Sequence, residues 1–158
     1  MPKVRWLDPE QERAWRRYRR MRTLLDLQIS RDLRNDSGLS ESDYDVLSTL
    51  SESSDGTWRA REFAARLMWS TSRLAHQIGR MEQRGLVERR GTEDDARGAV
   101  VALTEDGWAT LRAAAPAHVA SVRRNLMDLL TPTDVKALDR IAAKVVDHLT
   151  DATAGSAG

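Results

Sequence analysis

"STSRLAHQIGRMEQRGLVERRGTEDDARGAVVALTEDG", Ser70–Gly107, is the stretch whose reading decides the fold. It opens as a helix. Ser70 is a good N-cap residue, because its hydroxyl can accept from a free amide of the first turn. Leu74, Ile78 and Met81 recur at helical spacing and form one apolar stripe. Arg84 in the last turn and Gly85 just beyond it supply a stop. "LVERR" and "GAVVAL" then read as two strands joined by the charged loop 91–97. Thr104 caps whatever follows. The order is helix, hairpin, helix.

Outward from this centre the rest of the chain is helical. Toward the N-terminus, "AREFAARLMW" is a short helix with Phe63 and Leu67 one turn apart, and "SSDGTW" before it is a turn. Ser40 and Asp43 form a capping-box pair at the head of a helix that buries Tyr44, Leu47 and Leu50. "NDSG" separates it from a long first helix, which Asp8 caps and Pro9 opens. The apolar stripe of that helix, at 15, 18, 21, 25 and 29, is widened by Leu24, Leu27 and Leu33. So wide a stripe predicts packing on more than one neighbour.

Toward the C-terminus, Thr104 begins a long helix in which Pro116 is expected to make a kink or a break. Thr131 and Pro132 open the last helix. Its Val135, Leu138, Ala142, Val145 and Leu149 form a seam too short for a free coiled coil, so it must pack on other helices. The small, polar residues 151–158 read as a disordered tail.

Three helices followed by a two-stranded hairpin is the winged helix-turn-helix arrangement. The fold class is therefore mainly α with a small β-hairpin wing. A DNA-binding domain would span 37–104, and the helices at 8–36 and 105–150 would form a dimerisation region.

Composition narrows the function. The chain has 158 residues, no cysteine and a net charge of +1. Disulfides, thiolate metal sites and thiol redox chemistry are excluded. A nucleic-acid surface would have to come from clustered charge rather than total charge. No run reaches the roughly 18 apolar residues of a membrane span, and the N-terminus has no apolar core of the signal-peptide kind. A cytoplasmic protein without membrane contact is expected. HExxH, GxSxG and glycine-rich phosphate loops are missing from the sequence, and His76, His118 and His148 lack the spacing of zinc ligands. Neither an enzyme nor a metal or cofactor protein is expected.

The helix after Ser70 is the best candidate for chemistry. With Leu74, Ile78 and Met81 inward, the outward residues are Thr71, Ser72, Arg73, His76, Gln77, Arg80 and Arg84. Glu82 is the one acid on this helix. Hydroxyl, Arg, His and Gln side chains can fork onto base edges or bond phosphate, and a helix N-terminus favours phosphate.

Over "LAHQIGRMEQRGLVERR", the Asp95-x-Arg97-Gly98 step and "VVALTEDG", the chain resembles the MarR family of bacterial transcriptional regulators. The resemblance implies a homodimeric DNA-binding regulator, a repressor relieved by a small ligand. One recognition helix per protomer would enter the major groove of a pseudo-palindromic duplex. It makes Thr71, Ser72, Arg73, His76 and Gln77 the base- and phosphate-reading residues. Arg97 becomes the arginine that enters the minor groove, and Asp95 the carboxylate that holds it. Ser70, Arg66, Arg80 and Arg89 are phosphate candidates, as is Arg61. Arg89 is preferred to Arg90, which faces the other side of the strand.

An aromatic or anionic effector is implied too. Trp15, Tyr18 and Arg22, at i, i+3 and i+7, would suit it with aromatic walls and a cation. The first helix departs from the family in its arginine-rich "WRRYRRMR", whose bland reading is a solvated face. The competing function is a winged-helix protein–protein module that uses the acids at 93–95. Glu93 and Asp94, which should repel DNA, have no assigned role.

Overall fold

The computed structural model describes residues 4–92 and 95–155, with the side chains of 92, 95–97 and 153–155 outside the description. Six helices and three strands follow in order: α1 Pro9–Ser37, α2 Glu41–Leu50, β1 Thr57–Arg59, α3 Ala60–Arg66, α4 Thr71–Gln83, β2 Val87–Thr92, β3 Asp95–Leu103, α5 Glu105–Asn125 and α6 Pro132–Gly155. A short 3-10 turn, Met127–Leu129, precedes α6.

The caps expected from the sequence form. The Asp8 carboxylate accepts from the amides of Glu10 and Gln11 at 2.9 and 2.8 Å. Ser40 and Asp43 make their reciprocal box, and Thr104 Oγ1 accepts from the Gly107 amide at 3.0 Å. Thr131 and Asp134 box the start of α6 in the same way. Each cap satisfies amides that the helix itself leaves unpaired.

Three expectations are corrected. The stretch ending in "TW" is more than a turn, because Thr57–Arg59 pairs antiparallel with β3 and gives a three-stranded sheet of order β1-β3-β2. The long helix runs unbroken across Pro116 as far as Asn125, so the proline is tolerated. The tail expected to be disordered from 151 continues α6 as far as Gly155, since Thr150 to Ala154 hold no residue that stops a helix. Within the protomer, Val135, Val145 and Leu149 of the α6 seam remain 39%, 52% and 57% exposed.

The core lies in the winged half. Leu39, Val46, Leu47, Leu50, Phe63, Leu74, Ile78, Met81, Val87, Val101 and Leu103 form one buried cluster, joined by Leu33 of α1 and by Leu111 and Ala114 of α5. A tight joint links the hairpin to α5. Thr104 Oγ1 donates to the Gly85 carbonyl at 2.6 Å, and the Thr104 amide donates to the Leu86 carbonyl at 3.2 Å. A Cβ added at Gly107 would stand 2.1 Å from that Leu86 oxygen, so only glycine lets the helix come this close. α1 is tied to α5 through Asp32, which accepts from Ser121 Oγ at 2.6 Å, Arg124 at 2.9 Å and Asn125 at 3.1 Å. These bonds, with Ser121 the largest influence, hold the Asp32 carboxyl below its ordinary pKa.

Candidate nucleic-acid interface

α4 owes its position to its two ends and its buried side. Met68 takes a left-handed conformation at φ 53°, which turns the chain sharply between α3 and α4. The Trp69 amide then bonds back to the Ala64 carbonyl at 2.9 Å, and Ser70 Oγ accepts from the Arg73 amide at 3.1 Å. Leu74, Ile78 and Met81 anchor the inner face. Thr71, Ser72, Arg73 and His76 all stand exposed on the N-terminal half. Four of the residues expected to read DNA are therefore together on one surface.

Gln77 is not among them. It is only 3% exposed, and its Nε2 donates to Asp43 Oδ1 of α2 at 2.7 Å. Residues on a helix advance by about 100° each. The line through 73, 77, 80 and 84 therefore lies beside the apolar stripe rather than opposite it, on the flank facing α2. A polar residue on that flank is buried when a neighbour supplies a partner. In this structure Gln77 is a buried strut and is not presented on the exposed surface of α4.

Asp43 is the centre of this strut and is 5% exposed. Besides Gln77, its carboxylate accepts from the Ser40 amide at 3.0 Å and from Arg84 Nη1 at 2.8 Å. Burial alone would raise its pKa. The bonds from Arg84 and Ser40 outweigh burial and leave it below the ordinary value. Arg80 donates to Gln77 Oε1, so a polar chain runs from the head of α2 to an exposed arginine of α4. Arg84, expected to point outward, is half committed to Asp43.

The phosphate candidates divide. Arg80 and Ser70 are exposed beside the reading residues. Arg89 donates from Nη2 to the Ala75 carbonyl at 2.8 Å and lies 3.7 Å from Glu82, so it fastens β2 to α4. With Arg61 and Thr71 it also frames an open groove between α3, α4 and the sheet. Arg66 makes a two-pronged pair with Glu52 at 2.9 and 3.2 Å on the surface. Arg90 pairs with Glu88. Asp95 and Arg97 lie on β3 by backbone. Their side chains, and Glu93 and Asp94 entirely, are outside the described residues.

Trp15, Tyr18 and Arg22 do not enclose a pocket within the protomer. Trp15 and Tyr18 stack at 5.8 Å on an exposed face of α1, with Arg22 5.9 Å from the Tyr18 ring. The apolar recess between α1 and α5 is lined instead by Met21, Leu24, Leu25, Gln28, Asn125 and Leu126.

Two features escaped the sequence reading. The Arg73 guanidinium lies 4.1 Å from the centre of the Trp69 ring. His118 of α5 packs on Tyr44 of α2 at 4.2 Å between rings. Its Nδ1 is buried with no hydrogen-bond partner among the described residues. Burial pushes the His118 pKa down, against the pull of Asp45.

Comparison with known proteins settles the kinship. A model of the MarR family matches residues 37–98. AbsC, a MarR family transcriptional regulator from Streptomyces coelicolor, is 43% identical. The alignment covers 94% of this chain and 99% of AbsC, with a TM-score of 0.89. The chain belongs to the MarR family of transcriptional regulators. A second family member from Streptomyces coelicolor, Sco3205, is 36% identical over 94% of this chain and 93% of its own, again with a TM-score of 0.89; its structure is of a complex with DNA. No curated protein sequence matches significantly. MarR membership accounts for the winged arrangement and for the long helices flanking it. Among the described residues no helix is long and apolar enough to cross a membrane, and no three His, Asp or Glu side chains gather as a metal site would require.

Proposed function

We propose that this MarR family regulator binds a pseudo-palindromic duplex as a homodimer. α4 of each protomer lies in the major groove, and the β2–β3 wing reaches the adjacent minor groove. The observation that carries the reading is the exposed group Thr71, Ser72, Arg73 and His76 at the capped N-terminus of a helix braced on its α2 flank by Asp43 and Gln77. Free amides and a cation at a helix start suit phosphate and guanine. The DNA complex of Sco3205 supports the same use of this fold. The exposed apolar face of α6 supports a second copy as its cover.

Within this reading Arg80, Ser70, Arg61 and Arg89 contact the backbone, and Arg97, braced by Asp95, enters the minor groove. Repression relieved by an aromatic or anionic effector completes the proposal. The recess between α1 and α5 and the exposed Trp15, Tyr18 and Arg22 are the surfaces offered to such a ligand. The ligand would act through a difference in affinity between DNA-competent and incompetent arrangements. A location in the cytoplasm follows from the same role.

Fluorescence anisotropy against duplexes from the upstream intergenic DNA tests the core of this proposal. Binding is expected to weaken steeply between low and physiological salt, because several phosphates are neutralised. No binding at low salt would refute it. Salt-insensitive capture of a protein instead would favour the protein–protein module.

A further inference from the structure

We propose that Trp69 is a positioning residue for DNA reading: its indole holds the Arg73 guanidinium in the orientation that forks onto a guanine edge. This rests on the proposed reading of α4 as the recognition helix.

Both members of the pair are fixed within five residues. Trp69 follows the left-handed Met68. Its amide is bonded to Ala64, and its ring is half-buried against the core. Arg73 is in the first turn of α4, with its amide bonded to the Ser70 hydroxyl. The guanidinium carbon sits 4.1 Å from the indole centre. Among the described residues two other arginine–ring pairs, Arg19 with Trp15 and Arg22 with Tyr18, are looser at 6.0 and 5.9 Å and stand on the exposed half of α1. Indole is the strongest cation–π partner among the side chains.

A guanidinium that packs on a ring by its face leaves its N–H donors free in the plane, where guanine O6 and N7 would be met. An unrestrained surface arginine would lose rotamer freedom on binding. Here that freedom is already reduced in the free protein. Burial raises the pKa of Asp45 on α2, and the Arg73 cation opposes that rise, so the two charges lie within electrostatic reach. The arrangement favours a planar cation and would serve lysine poorly.

The test is a double-mutant cycle on the full chain with Trp69→Leu and Arg73→Ala. The probes are a duplex enriched by the wild-type protein from a random-sequence pool and a mixed-sequence duplex of equal length. Trp69→Leu is expected to weaken the enriched duplex about five- to tenfold and to leave the mixed duplex within about twofold. Trp69→Phe should recover most of that loss. In the Arg73→Ala background the loss should vanish. Arg73→Lys, which leaves the core untouched, should lose the enriched duplex nearly as much as Arg73→Ala. It keeps the inference testable if Trp69→Leu fails to fold. Multiplicative losses, equal losses on both duplexes, or full activity of Arg73→Lys would overturn the inference while wild-type binding stands. If the wild-type chain enriches no duplex, the DNA-binding reading fails with it.

Discussion

The two halves of the molecule treat apolar surface in opposite ways. In the winged half, α2, α3, α4 and the sheet close around Leu47, Leu50, Phe63, Ile78 and Met81, all buried within one chain. In the helical arms, Tyr18, Leu24 and Leu27 of α1 and Ile141, Val145 and Leu149 of α6 are left facing outward. The first half is finished by its own sequence. The second leaves apolar side chains exposed, and in the proposed homodimer a second copy covers them. In the proposed dimer a reading helix needs a fixed backbone, whereas the arms that would set the distance between two reading helices need a second copy to be complete.

Charging the arms should break the comparison most severely. Ile141→Glu with Val145→Glu is expected to yield a monomer in sedimentation, with α4 still folded by circular dichroism. Losing one of two linked half-site contacts should weaken binding by about a hundredfold or more. A dimer that survives both charges would place the interface elsewhere.

A smaller effect is expected from the winged half. Asp43→Ala leaves the buried Gln77 amide without its acceptor and frees Arg84 and the Ser40 amide. Denaturant unfolding should show a loss of about 2–3 kcal/mol. The same carboxylate makes the lobe sensitive to acid. Its folded pKa lies below the unfolded value, so its stabilisation is complete above about pH 4. It is lost as pH falls through the lower folded pKa. Asp43→Asn should flatten this part of the pH–stability profile, and an unchanged slope would contradict the assignment.

The smallest effect sharpens the wing. Arg97→Ala should weaken the duplex by about tenfold and change neither the dimer nor the melting temperature. Equal affinity for mutant and wild type would remove Arg97 from the interface.

Local signals were legible wherever a residue acts on its own neighbours. Asp8, Ser40, Thr104 and Thr131 all cap as their spacing implied, because a cap is settled within four residues. The stripe Leu74–Ile78–Met81 set the buried side of α4 correctly. Long-range partners were not legible. Gln77 looked outward because Asp43, 34 residues earlier, is invisible to a helical pattern. β1 looked like a turn because three residues become a strand only when β3 offers an edge.

By itself, then, the sequence determined the order of helices and hairpin, the apolar side of each, and the cluster of small and basic residues at the start of α4. Short-range sterics, capping and periodicity decide those. Only the tertiary structure decided which polar residues on α4 remain free for DNA, that Trp69 lies against Arg73, and that α1 and α6 keep apolar faces uncovered. Each depends on what a distant segment brings within a few ångströms, and no periodicity in one segment encodes that.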